Sequence, residues 1–227
     1  MADTFLWYWR YSLTSRAPLN ARTSQRSHEG ALIRDFGGGV GGVHPWPALG
    51  DASLDEPLAA LAADRPTELG LQSLRCAEAD GLARRKGRRL FDPLKIPPSH
   101  FSAGVQADHE DPADLFEQGF RSVKLKGSSD FEGLKERLEH WRQQAPEMRL
   151  RIDFNDTATC ETLLAFWSSL DEATRAAVDF IEDPFPYLPG DWKRAREEAG
   201  IPLAADREVR ERSEQADWLV VKPAIIN

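Results

Sequence analysis

At 227 residues with 41% hydrophobic content, the chain is an ordinary globular sequence, long enough for one large domain or two smaller ones. Its net charge of −8 argues against nucleic acid as a partner, because phosphate binding asks for a basic footprint. Cys76 and Cys160 are too few for a disulfide framework and match no metal spacing, the start of the chain lacks an export signal, and no apolar run approaches the roughly 20 residues of a membrane span, so a cytoplasmic protein with no membrane contact is expected.

In chain order, Thr4 to Leu13 predicts a strand with Phe5, Trp7 and Trp9 on one face. Ala17 to Glu29 lacks periodicity and reads as a loop, plain or mobile over a site. Ala31 to Phe36 predicts a second strand, and the glycine run from Gly37 to Gly42 turns the chain back toward Val43. Gly37, Gly39 and Gly42 match G-x-G-x-x-G, but the following H-P-W-P, His44 to Pro47, forbids the helix start that a pyrophosphate needs, so this is a turn. Leu54 to Ala63 and Thr67 to Arg85 predict helices, the second with Leu71, Leu74, Ala77 and Leu82 on one face. The basic run Arg84 to Arg89 is a solvated helix end, and Pro93, Pro97 and Pro98 mark a linker. An α+β domain over 1–98 and a second domain over 99–227 are the expected organisation.

From His100 onward strands alternate with helices, which signals a parallel sheet of β/α units. Predicted strands are His100 to Val105, the lysine run Ser122 to Gly127, Met148 to Asp153, Val178 to Glu182, Leu203 to Asp206 and Trp218 to Lys222. Between them lie helices over Asp111 to Gln118, around Phe131, Leu134, Leu138 and Trp141, around Leu163, Leu164, Trp167 and Leu170, and over Trp192 to Ala199. Period two puts Lys124 and Lys126 on one strand face. Taken alone, that pair could be an edge strand guarded by charge.

In a (β/α) barrel, groups at the C-terminal ends of strands face the mouth. Asp153, Glu182 and Asp206 end three consecutive predicted strands. Any one of them alone would more often be a helix cap or a surface charge. Together they offer hard oxygens suited to Mg²⁺, with Lys126 and Lys222 flanking from opposite sides. That set suits proton abstraction next to a carboxylate, where a cation stabilises the developing charge. A lysine base must be neutral, and nearby cationic groups such as Lys124 disfavour a second ammonium.

The series K-x-K (Lys124, Lys126), D-x-N (Asp153, Asn155), E-D-P from Glu182, A-x-D ending at Asp206 and V-K-P around Lys222, with V-H-P-W-P-A-L-G-D from Val43, resembles the enolase superfamily and most closely the o-succinylbenzoate synthases. The resemblance implies an α/β fold: an enolase-like (β/α) barrel, incomplete at about six strands, with an N-terminal α+β capping domain. It implies Mg²⁺ on Asp153, Glu182 and Asp206, Lys126 as base, Lys222 opposite it with Lys124 beside, and Arg151 and Asn155 near a small carboxylate substrate. The implied activity is dehydration of 2-succinyl-6-hydroxy-2,4-cyclohexadiene-1-carboxylate to o-succinylbenzoate in menaquinone synthesis. N-succinylamino acid racemases and dipeptide epimerases share the framework, and an inactive fragment or degenerate paralogue is a third alternative. Two departures stand out: Arg207 follows Asp206 where members commonly carry glutamate, and the chain ends before a seventh and eighth strand. Typical barrels use about 250 residues. The chain by itself is therefore expected to be open-edged, poorly soluble and without turnover.

Overall fold

The computed structural model describes residues 6–15, 25–47, 50–92, 94–103 and 111–221. The chain divides into two compact units, Met1–Ile96 and Pro97–Asn227.

In the first unit, β1 (Trp7–Thr14), β2 (Ser27–Arg34) and β3 (Val40–Val43) form an antiparallel sheet in that order. Alternation along β2 buries Ala31 and Ile33, which join Val43 and Leu54 in a small core with leucines of α1 (Asp55–Ala62) and α2 (Glu68–Arg85). Trp7 and Trp9 share the opposite, exposed face, while Phe5 lies outside the described residues. β2 starts at Ser27, so the strand takes the end of the expected loop. The part of that loop up to residue 24 lies outside the described residues.

The glycine run does more than turn the chain. The turn closes between Asp35 and Gly39, with Gly38 at φ +81°, and β3 then takes Gly41 and Gly42. A Cβ on Gly39 or Gly41 would run into the backbone carbonyls of Ala77 and Ser73 on α2, so these glycines let strand and helix meet backbone to backbone. For the same reason the buried face of α2 is the small-residue set Gly70, Ser73, Ala77, Gly81 and Ala83; Leu82, expected on that face, is exposed. Among the described residues no α-helix follows the glycines before α1, whereas the rejected dinucleotide fingerprint needs one directly after them.

The second unit is a six-stranded parallel sheet in sequence order, the topology of a partial (β/α) barrel. It runs β4 (Phe101–Ala103), α3 (Pro112–Glu117), β5 (Ser122–Lys126), α4 (Phe131–Gln144), β6 (Arg149–Asp153), α5 (Cys160–Ser169), α6 (Glu172–Ala177), β7 (Val178–Glu182), α7 (Pro189–Lys193), a π-helix (Arg194–Glu198), β8 (Leu203–Ala205), α8 (Val209–Arg212), a 3₁₀ turn (Ser213–Gln215) and β9 (Trp218–Leu219). Residues 104–110 and Lys222 lie outside the described residues, so the expected ends of the first and sixth strands do too.

Side chains one residue apart face opposite sides of these strands. Val123, Leu125, Leu150, Ile152, Ile181 and Leu203 pack into one core with Leu134, Leu138 and Trp141 of α4 and Leu163, Phe166 and Trp167 of α5. The in-between residues carry the charges. Helix starts are set locally: Asp111 accepts the Ala113 and Asp114 amides at the head of α3, and Thr159 and Thr162 cap α5 reciprocally. α6 went unforeseen because six residues are too few to show a period, and α7 starts three residues before the expected helix because Pro189 fits a first helical turn. Among the described residues no helix is long and apolar enough to cross a membrane.

The close packing of β3 on α2 predicts that Gly41→Ala destabilises the first unit by about 1–3 kcal/mol through overpacking. Gly42→Ala, on the same strand with open space where its Cβ would stand, should shift stability by no more than about 0.5 kcal/mol. Denaturant midpoints of the two variants check this; equal midpoints would refute the contact.

Candidate active site

Register carries the functional side chains to a common level. Lys126 pairs with Asp153 across β5 and β6, Asp153 pairs with Glu182 across β6 and β7, and Glu182 pairs with Ala204 across β7 and β8. In-register parallel partners point to the same side, so Lys126, Asp153 and Glu182 form a row at the strand ends. Lys124, Arg151 and Phe180 form the row beneath.

The charges meet. Lys126 Nζ donates to Asp153 Oδ2 at 2.9 Å, and Lys124 Nζ donates to the same oxygen at 3.1 Å and to Glu182 Oε2 at 3.3 Å. Both carboxylates are almost fully buried, and both ammoniums are about three-quarters covered. Burial alone would push Asp153 up, but two lysines outweigh it and hold its carboxyl below the ordinary range. Glu182 is pushed up to about 7 by burial and by the Asp153 and Asp206 charges, against which it has one lysine. Burial works against the Lys124 ammonium, yet the two carboxylates more than compensate and raise its pKa.

Asp206 stands just past β8, close enough for its charge to act on Glu182, and its backbone amide donates to Asp183 Oδ1 at 3.2 Å. Among the described residues no three His, Cys, Asp or Glu side chains are grouped to hold a metal ion, so the expected carboxylate triad is not drawn together as a ligand set. The positive charge between Asp153 and Glu182 is the Lys124 ammonium. The donor chemistry nevertheless fits a hard divalent cation: two buried carboxylates share one cation between them, and the neighbouring Asn155 Oδ1 is buried without a hydrogen-bond partner.

Arg151 is held away from the carboxylates. Its Nε donates to Asp179 Oδ2 and its Nη1 meets His100 Nδ1, both at 3.1 Å, with the guanidinium over the Phe180 ring. A β-bulge between Leu150 and Arg151 makes this possible, since it leaves Asp179 unpaired in the register and lets it reach both Arg149 and Arg151. Asn155 turns beyond the strand at φ +51°, its amide donating to Asp153 Oδ1 at 3.1 Å. Lys222 lies outside the described residues.

Sequence reasoning missed what lies behind the site. Arg212, buried at the end of α8, gives Nη1 to Asp156 Oδ1 at 2.9 Å and to Asp183 Oδ1 at 3.1 Å, and gives Nη2 to Glu208 Oε2 at 2.9 Å. Its guanidinium centre is 5.2 Å from the Trp192 ring. Arg207 adds a 2.8 Å bond to Asp156 Oδ2. Asn155, Asp156, Asp183 and Glu208 all have φ between +40° and +62°, a backbone region that costs side-chain-bearing residues on the order of 1 kcal/mol or more each. The available signal was the second residue of E-D-P and the run of acids and arginines after Asp206.

Similarity to known proteins agrees with this geometry. Residues 6–83 match the family model for the o-succinylbenzoate synthase N-terminal domain, and residues 109–222 match the enolase C-terminal domain-like model. An o-succinylbenzoate synthase of Bdellovibrio bacteriovorus is 33% identical, over 96% of this chain and 68% of the relative. Among solved structures, an o-succinylbenzoate synthase from Thermosynechococcus elongatus with Mg in its active site superposes at TM-score 0.66 with 20% identity, over 97% of this chain and 76% of that one. The substrate-liganded L-Ala-D/L-Glu epimerase from Bacillus subtilis superposes at 0.67 with 18% identity, over 95% and 73%. A mandelate racemase/muconate lactonizing enzyme from Roseiflexus sp. superposes at 0.73 with 20% identity, over 97% and 73%.

The Arg151 brace has a pH signature. Burial, then Arg151 and Lys124, lower the His100 pKa below its ordinary 6.5. A depressed histidine contributes stability above its unfolded pKa and loses it as pH falls through the folded one. The His100 contribution should therefore be lost between about pH 7 and about pH 5, a window in which the raised Glu182 and Asp183 carboxyls act in the opposite sense, so the denaturant midpoint of the unmodified chain should fall relative to that of His100→Gln. A variant slope as steep as that of the unmodified chain would remove His100 from the account.

Proposed function

Because the chain belongs to the enolase superfamily, most like its o-succinylbenzoate synthases, we propose that it carries the machinery to dehydrate 2-succinyl-6-hydroxy-2,4-cyclohexadiene-1-carboxylate to o-succinylbenzoate, a step of menaquinone synthesis. The observation that supports it best is the cluster of Lys124, Lys126, Asp153 and Glu182 at the ends of three adjacent parallel strands. A proton on the carbon beside a carboxylate is removed only where the developing charge is stabilised, and this cluster combines basic side chains with acids whose chemistry suits a cation.

Asp153, Glu182 and Asp206 would hold Mg²⁺, which supplies positive charge against the substrate carboxylate when bound. Lys126 Nζ takes the proton from the carbon bearing that carboxylate. The electron pair left on that carbon forms the new ring double bond, the C–O bond to the ring hydroxyl breaks with its electrons going to oxygen, and the hydroxyl departs as water with the proton that Lys126 took. Lys124, kept charged by two carboxylates, contributes fixed positive charge beside the developing anion. Lys222 is assigned to the opposite side of the substrate. Arg151, steadied by Asp179 and His100, and Asn155 complete the polar wall.

Two measurements test this reading. Lys126→Arg keeps a cation at the same place but stays protonated, so aromatic product formation should fall by about 100-fold or more in any form of the protein that turns over. Undiminished product would move the base elsewhere, and solvent deuterium washed into an N-succinylamino acid would favour the racemase alternative. Calorimetric titration of Mg²⁺ should show clear weakening in Asp153→Asn; identical isotherms would dismiss Asp153 as a ligand.

A further inference from the structure

We propose that Arg212 is a positioning residue for the carboxylate site, setting Asp153, Glu182 and Asp206 relative to one another through the turns that follow them. The inference rests on the cation-binding reading of those carboxylates and goes beyond it by naming what arranges them.

The three acids end three different strands, and strand pairing stops at that level. Beyond it the chain leaves in three separate turns. The turn after Asp153 contains Asn155 and Asp156, the turn after Glu182 begins at Asp183, and the turn after Asp206 passes through Arg207 and Glu208 into α8. Each contains a residue with positive φ that is not glycine. Such turns hold their shape only where surrounding contacts over-determine them.

Arg212 supplies those contacts from one buried guanidinium. Its Nη1 bonds Asp156 and Asp183 together, joining the first two turns. The Asp183 oxygen it touches also accepts the Asp206 amide, joining the third. Its Nε and Nη2 grip Glu208, the positive-φ residue that starts α8. Backbone bonds run the same way: the Asp156 amide donates to the Asp183 carbonyl at 2.7 Å, and the Asp183 amide to the Ala204 carbonyl at 3.0 Å. Trp192, fully buried, and Tyr187 cover the guanidinium and fix its place. Arg212 touches none of the three acids itself. Its partner Asp183 directly follows Glu182, its partner Asp156 lies three residues after Asp153, and Asp183 also accepts the backbone amide of Asp206.

A planar fork with fixed donor directions does this and a point charge does not, so Lys is the informative replacement. Mn²⁺, a spectroscopic substitute for Mg²⁺, is titrated into the 227-residue chain, Arg212→Lys and Glu208→Gln, with electron paramagnetic resonance as readout. The temperature is one at which circular dichroism finds each protein fully folded. Support of metal-bearing groups from behind is worth about 10- to 100-fold in affinity, so Arg212→Lys should weaken Mn²⁺ by that factor and change the line shape of the bound ion. Glu208→Gln, at a mostly exposed acid, should show a smaller loss in the same direction. Millimolar methylguanidinium should restore affinity to Arg212→Ala. A purely stabilising arginine would lower the melting temperature and leave the affinity of the folded protein unchanged, and that result overturns the proposal. If Arg212→Lys does not fold, Glu208→Gln decides, and unaltered affinity there overturns it equally. Absence of Mn²⁺ binding in the unmodified chain would overturn the cation reading itself, and this inference with it. Intact binding that ignores both substitutions overturns only the role of Arg212.

Discussion

Parallel register across β5, β6 and β7 is the constraint on which the site depends. A one-residue slip of β6 would turn Asp153 and Arg151 into the helix-facing core and bring Ile152 and Leu150 to the polar side. The apolar set beneath the helices forbids that slip, since Leu150 and Ile152 are fully buried there. Hydrophobic burial on one face therefore fixes the chemistry on the other. The strongest structural pressure on the lysines and carboxylates comes from residues that never touch them.

What register cannot do is settle the charges it gathers. Asp153 and Glu182 are equally buried and lie side by side, yet they differ: two ammoniums keep Asp153 ionised, while Glu182 shares one ammonium and feels two acids. Two neighbouring buried carboxylates with separated ionisation behaviour are a pattern that functional sites often carry. The same asymmetry recurs one shell back. Burial pushes the Asp183 carboxyl up to about 6 despite the Asp206 amide and Arg212, so negative charge is in excess on both layers.

Most of the second unit was legible because its strands announce themselves as short apolar runs that end in charge, and period two sorted Lys124, Lys126, Asp153 and Glu182 onto one face. Asp206 was readable as a strand end, but that it forms no three-membered ligand group with the other acids among the described residues was not. Arg151 was read as lying near the substrate, on the same strand as Asp153. The bulge that frees Asp179 to claim it leaves no mark on periodicity. In the first unit the glycines looked like punctuation, whereas Gly39 and Gly41 are packing residues; close approach to α2 shows only when Ser73 and Ala77 are known to lie opposite. Arg212 sits in a four-residue helix, too short for any pattern, and its importance comes entirely from partners in other turns.

The two lysines of K-x-K are alike in sequence and equally covered, and it is their partners that separate them. Lys124, one pleat deeper, faces Arg151 and Phe180 and reaches upward to both Asp153 and Glu182, so its charge is locked by two partners. Lys126, at the rim, touches Asp153 alone. Detaching an ammonium from one carboxylate contact costs less than detaching it from two, and only the rim position can turn toward a ligand without leaving an unpaired charge beneath. A cation held by two carboxylates below and one held by a single carboxylate above is the arrangement that the proposed proton removal would use. Two residues of strand pleat are enough to create it.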